Sequence, residues 1–151
     1  MQDADNPAPT TLAGRQSRLE AQLRALRDPQ ARFGFLVERA RTQPPLPDTL
    51  RLDNHRVTGC QVRLWLVSAF QDGLCRFCCD SDAVTLRAFV GALCELTDAL
   101  PPAEVRRLDA AFLEELGLLR QLAESRRATI LRVAEQIREF ARQALGPSAG
   151  A

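Results

Sequence analysis

The sequence predicts an α+β fold: a small antiparallel sheet of two or three strands packed against N-terminal and C-terminal helices. Three observations carry that expectation. Apolar residues recur at helical spacing on both sides of a central segment, with arginines and carboxylates between them. Inside that segment, over residues 61–70, the period shortens to two. Gln71-Asp72-Gly73 then supplies a turn, so the next short apolar run folds back as a hairpin. A chain of 151 residues suits one domain. It is placed at 12–146, between a flexible N-terminal tail at 1–11 and a C-terminal tail at 147–151.

The elements follow in order. Leu12, Leu19, Leu23 and Leu26 mark a first helix. Asp28-Pro29 starts a second, with aspartate at the N-cap and proline at the first helical position. Its stripe is Phe33, Leu36, Val37 and Ala40, and it ends near Arg41 because the prolines of Gln43-Pro44-Pro45-Leu46-Pro47 cannot continue a helix. The stretch Leu52 to Val57 is a candidate third strand. Gln61 to Phe70 forms the first hairpin strand, Val62, Leu64, Leu66 and Phe70 alternating against Gln61, Arg63, Trp65 and Val67. Trp65 fills the core or its edge. Leu74 to Cys79 is the second strand. Asp80-Ser81-Asp82 caps a helix reaching Asp98, with Leu86, Phe89, Val90, Leu93 and Leu96 inward. Pro101-Pro102 opens a short helix to Leu108, and Asp109 begins another through Leu116. Ser125 caps the last, whose stripe is Ile130, Val133, Ile137, Phe140 and Ala144, and Gly146-Pro147 stops it.

The reactive side chains narrow the chemistry. All 20 basic residues are arginine, His55 is the one histidine, tyrosine is absent, and cysteine occurs five times. Without lysine there is no Schiff base to pyridoxal phosphate and no P-loop. One histidine excludes two- and three-histidine zinc sites within a single chain. A net charge of +1 offers no field for nucleic acid or a membrane surface. No apolar run can span a bilayer, and the start at Asp3 and Asp5 carries no secretory leader, so the expectation is a cytoplasmic protein with free thiols. Sulfur is left as the atom for covalent chemistry.

Each thiol has a functional and a bland reading. Cys60 follows Thr58-Gly59 on a loop before the strongest strand, with Arg56 and Arg63 close in sequence. Nearby cations favour the nucleophilic thiolate, while the bland reading is an incidental loop cysteine. On the second strand, Cys75, Phe77 and Cys79 share one face and Leu74, Arg76 and Cys78 the other. With Phe77 toward the core, Cys75 and Cys79 read as small buried hydrophobes, and so does Cys94 on the apolar side of its helix. The spacing Cys75-x-x-Cys78 also permits a structural zinc site, completed by Cys94 and His55 or by Cys79 and Cys94, although a strand turns the two sulfurs apart. Asp80-Ser81-Asp82 reads more simply as a cap than as an acid/base pair. Arg126-Arg127 reads as an anion site or as solvated surface.

Several stretches together resemble one family. His55-Arg56-Val57-Thr58-Gly59-Cys60-Gln61-Val62-Arg63-Leu64-Trp65-Leu66 is similar to the N-R-V-x-G-C-Q-S-x-V-W signature of the SufE/CsdE-type sulfur acceptors. Arg32 to Leu36, Pro44 to Pro47, Asp80-Ser81-Asp82-Ala83, Phe112 to Leu118 and Ser125-Arg126 look like further blocks of that family, in order, over roughly residues 20–145. His55, Val62 and Cys79 depart from its usual asparagine, serine and glycine, and Gln121 to Glu124 replaces its usual H-L-x-P. The resemblance implies an α+β fold and a partner for a SufS/CsdA-type cysteine desulfurase. Cys60 would take sulfur from that enzyme as a persulfide, stimulate it, and pass the sulfur to an iron–sulfur scaffold or other recipient. It implies no metal and no cofactor in this chain, the pyridoxal phosphate belonging to the partner. Gly59 would be the loop hinge, and Arg126 would neutralise the sulfur anion or steady the loop. Two other function classes stand beside this: a structural zinc-binding thiol protein and a non-catalytic adaptor docking through its helices.

Overall fold

The computed structural model describes residues 10–146. Apart from Thr10 and Thr11, the predicted tails lie outside the described residues. The Thr11 side chain accepts the Gly14 N–H and starts α1 (Leu12–Arg24). Asp28 likewise accepts the Ala31 N–H at 2.7 Å, and Pro29 opens α2 (Pro29–Thr42), as the sequence predicts. The Arg32 side chain then donates to the carbonyls of Leu23 and Leu116, joining the end of α1 to a turn distant in the chain.

The hairpin is β1 (Leu64–Gln71) against β2 (Leu74–Ser81), with Leu64 opposite Ser81 and Gln71 opposite Leu74. Asp72 and Gly73 form its two-residue turn with φ of 54° and 78°, the left-handed pair that matches strand twist. Two strands make the whole sheet among the described residues. The candidate third strand is instead a 3₁₀ turn, Asp53–His55, followed by one bridge from Arg56 to Trp65. Asp53 and Asn54 favour such turns over an extended run. The other edge of β2 is bridged at Cys75, whose N–H donates to the Leu100 carbonyl at 2.8 Å.

The remaining helices are α3 (Val84–Thr97), α4 (Pro102–Val105), α5 (Ala111–Glu115) and α6 (Glu124–Leu145). α3 lies at the centre, between β2 on one side and α2 on the other, and α6 runs across α3, α4 and β1. Phe89, Leu86 and Leu93 of α3 are fully buried with Ile130, Val133 and Ile137 of α6. The α+β expectation of a small antiparallel sheet between N-terminal and C-terminal helices holds.

Several boundaries move, each for a local reason. β1 begins at Leu64 rather than Gln61, because residues 58–63 form a loop. Phe70 is exposed, since the end of the hairpin projects past the core. β2 runs on through Ser81, and Asp80-Ser81-Asp82 does not cap α3 through Asp80: Ala83 holds the N-cap position without a side-chain bond. The Asp80 carboxylate is already occupied, accepting the Leu46 N–H at 3.0 Å and the Arg51 guanidinium at 2.6 Å. Ser125 does not cap α6 either. Ala123 takes that position and Ser125 sits in the first turn. The short helices end at Val105 and Glu115 rather than Leu108 and Leu116.

Candidate functional site

Residues 58–63 form a loop closed at its base by the Val57 N–H donating to the Leu64 carbonyl at 2.9 Å. The chain reverses at Gly59, whose φ of +83° suits glycine. A methyl group there would also come within 2.7 Å of Nη1 of Arg132. This reversal leaves Cys60 half-buried, its side chain against the edge of the apolar core.

The Cys60 thiol meets α6. Its Sγ donates to Oγ1 of Thr129 at 3.6 Å, and the Thr129 hydroxyl donates in turn to the Ser125 carbonyl at 3.0 Å. A hydroxyl whose proton is committed in this way presents its lone pairs to the thiol. Gly59, Cys60, Val62, Leu86, Arg126 and Thr129 line a small cavity of about 130 Å³. Arg126 is thus brought to the same cavity as Cys60, one helical turn before Thr129. Arg63, expected to act as a neighbouring cation, is engaged by Asp82 at 2.7 Å and lies 5.4 Å from the Trp65 ring. Trp65 is buried between Arg63 and Arg51 at the core's edge.

The sequence alone does not single out Thr129 or Arg132. Both recur at three-residue steps from Arg126, so their shared face is visible there. Nothing in the sequence says that this face meets a loop from far earlier in the chain.

The other thiols separate clearly. Cys75 and Cys94 are buried, Cys79 is half-buried and Cys78 is exposed. Burial pushes the Cys75 thiol up. Cys94 is raised well above the usual thiol range by its hydrogen bond with Cys79 and by burial. Crowding around the Cys78 sulfur raises it too, helped by Cys79 and Asp98. In all three the shift disfavours the thiolate, the form that attacks sulfur and binds metals. Among the described residues, no three His, Cys, Asp or Glu side chains gather to hold a metal, so the zinc arrangement of Cys75, Cys78, Cys79 and Cys94 is not assembled. His55 lies elsewhere, in a cleft with Gln136 and Glu139.

Asp80 fastens the proline-rich segment over the end of the hairpin. Burial raises its carboxyl, but hydrogen bonds from Arg51, the Leu46 N–H and the Ser81 N–H outweigh that and hold it below the ordinary carboxylate value. Arg87 adds a second cation at 3.6 Å. No helix among the described residues is long and apolar enough to cross a membrane.

Residues 17–141 match the family model of SufE, the Fe–S metabolism associated domain. A chloroplastic quinolinate synthase of Arabidopsis thaliana is 32% identical over 67% of the chain, which spans 14% of that protein. Chloroplastic SufE-like protein 2 of the same plant is 30% identical over 76% of the chain, which spans 45% of its length. An uncharacterised SufE-like protein of Rhizobium etli is 27% identical, with 78% of this chain and 82% of that one covered. Among solved structures, a hypothetical protein of Thermus thermophilus superposes with a TM-score of 0.71 at 25% identity, covering 92% of this chain and 98% of the other.

Proposed function

The chain belongs to the SufE family of Fe–S metabolism associated domains, and from that premise we propose that it is a sulfur acceptor and carrier working through Cys60. The supporting observation is the placement of this one thiol. It sits at a small cavity on a loop reversed by Gly59, its sulfur bonded to Thr129 but not enclosed by the core.

The donor is a SufS/CsdA-type cysteine desulfurase carrying a persulfide. The Cys60 thiolate attacks the terminal sulfur of that persulfide, an S–S bond forms on Cys60, and the old S–S bond breaks to release the donor's thiolate. Sulfur moves with no net oxidation, so this chain needs no metal or cofactor of its own, and pyridoxal phosphate belongs to the donor. A recipient thiolate, on an iron–sulfur scaffold or another acceptor, then repeats the exchange on the Cys60 persulfide. In this reading the chain is a transfer partner rather than a pyridoxal phosphate enzyme. Arg126, on the same cavity, supplies positive charge for the persulfide anion. Five free thiols suit a reducing cytoplasm.

The test is stimulation. Adding the protein to such a desulfurase with cysteine should raise sulfide or alanine output, and Cys60→Ser should abolish the effect while retaining the fold. Equal stimulation by Cys60→Ser would sink the proposal.

A further inference from the structure

We propose that Arg132 is a positioning residue that latches the Cys60 loop against α6. The inference rests on the reading of Cys60 as the sulfur-carrying thiol, and adds the side chain that decides when that thiol is offered.

Arg132 is exposed on α6, yet its Nη1 donates to the Thr58 carbonyl at 2.8 Å, crossing from helix to loop. Its partner is a backbone carbonyl, and it has no carboxylate partner among the described residues. The same Nη1 lies 2.7 Å from the point where a Cβ at position 59 would stand, so the guanidinium packs into the space beside Gly59. Two α6 side chains thus hold two adjacent parts of one loop: Arg132 takes Thr58 and Thr129 takes Cys60. Residues 129 and 132, three apart on a helix, present both contacts from one face.

The chemistry suits a latch. A charge-assisted bond to a carbonyl is stronger than a neutral one, but in a solvent-exposed position it stays weak enough to open readily. Losing it should raise the open population of the loop several-fold while the core, which does not depend on it, stays folded.

The experiment measures alkylation of each cysteine by iodoacetamide, resolved by peptide mass spectrometry, in the full chain. Arg132→Leu is expected to speed modification of Cys60 by about three- to tenfold, as loss of one exposed charge-assisted hydrogen bond implies. The Cys78 rate should stay put, and the melting temperature should fall by no more than about 5 °C, the loss that one such bond accounts for. Arg132→Lys, which keeps one donor for Thr58, should restore part of the protection. An unchanged Cys60 rate in Arg132→Leu, a parallel rise at Cys78, or a lysine variant no better than leucine would overturn the latch. Alkylation requires no desulfurase, so the two readings fail separately. Protection by Arg132 without any persulfide on Cys60 contradicts the carrier reading alone. A persulfide on Cys60 with alkylation indifferent to Arg132 contradicts the latch alone.

Discussion

A thiol that carries sulfur must be reachable during docking and shielded between encounters, and half-burial against Thr129 gives Cys60 both properties. The contrast with its neighbours is one of burial. Cys75 and Cys94 are buried with thiols pushed up, so neither should take up iodoacetamide until urea unfolds the chain. Labelling of either in the native protein, at a rate like that of Cys60, would contradict the assigned burial. At Asp80 the prediction concerns pH. Its folded carboxyl lies below the ordinary value, so the stability it contributes is full above the unfolded value of about 4 and is lost as pH falls through the folded one. Asp80→Asn should therefore cost about 2–4 kcal/mol at neutral pH, because the cations Arg51 and Arg87 lose their partner. It should also flatten the decline in acid. Urea unfolding of both proteins across pH 3 to 7, about the span in which carboxylates titrate, reads both effects.

At the scale of elements, the site depends on a loop between a 3₁₀ turn and β1 meeting the N-terminal half of α6. Gly59 is the position where that meeting is most sensitive. Gly59→Ala forces a side chain into a left-handed backbone and displaces Arg132, so it should destabilise the fold by about 1–2 kcal/mol. Thermal melting measures the loss, and a melting temperature equal to wild type would show that the reversal at Gly59 is not strained by a Cβ. Much of this arrangement is legible in the sequence. The Asp28-Pro29 start, the Asp72-Gly73 turn and the outward and inward faces around Phe77 follow from local chemistry, which spacing reports directly. Asp80 misleads because a cap and a buried anchor use the same residue type. What distinguishes them is the arrival of Leu46 and Arg51 from far along the chain. Thr129 is invisible for the same reason: its importance comes from the loop it faces.

At the scale of the whole molecule, α3 is the common wall behind hairpin, α2 and α6, and Phe89 is its largest fully buried side chain, stacked on Phe33 at 5.8 Å between ring centres. Phe89→Ala should cost about 3–5 kcal/mol by urea unfolding, the range for a large aromatic cut from a core. A loss below about 1 kcal/mol would mean that the site closes over without a cavity. The scaffold matters to the proposed transfer because Leu86 of α3 and Thr129 of α6 line the cavity at Cys60. The missing lysine fits the proposed transfer role, in which a chain that cannot hold pyridoxal phosphate takes its sulfur from one that can. The most direct measurement of that claim is peptide-resolved mass spectrometry after incubation with a SufS/CsdA-type desulfurase and cysteine. One added sulfur atom is expected on the peptide containing Cys60, and none on any peptide of Cys60→Ser. Sulfur on the Cys78-Cys79 peptide with Cys60 unmodified, or sulfur retained by Cys60→Ser, would contradict it.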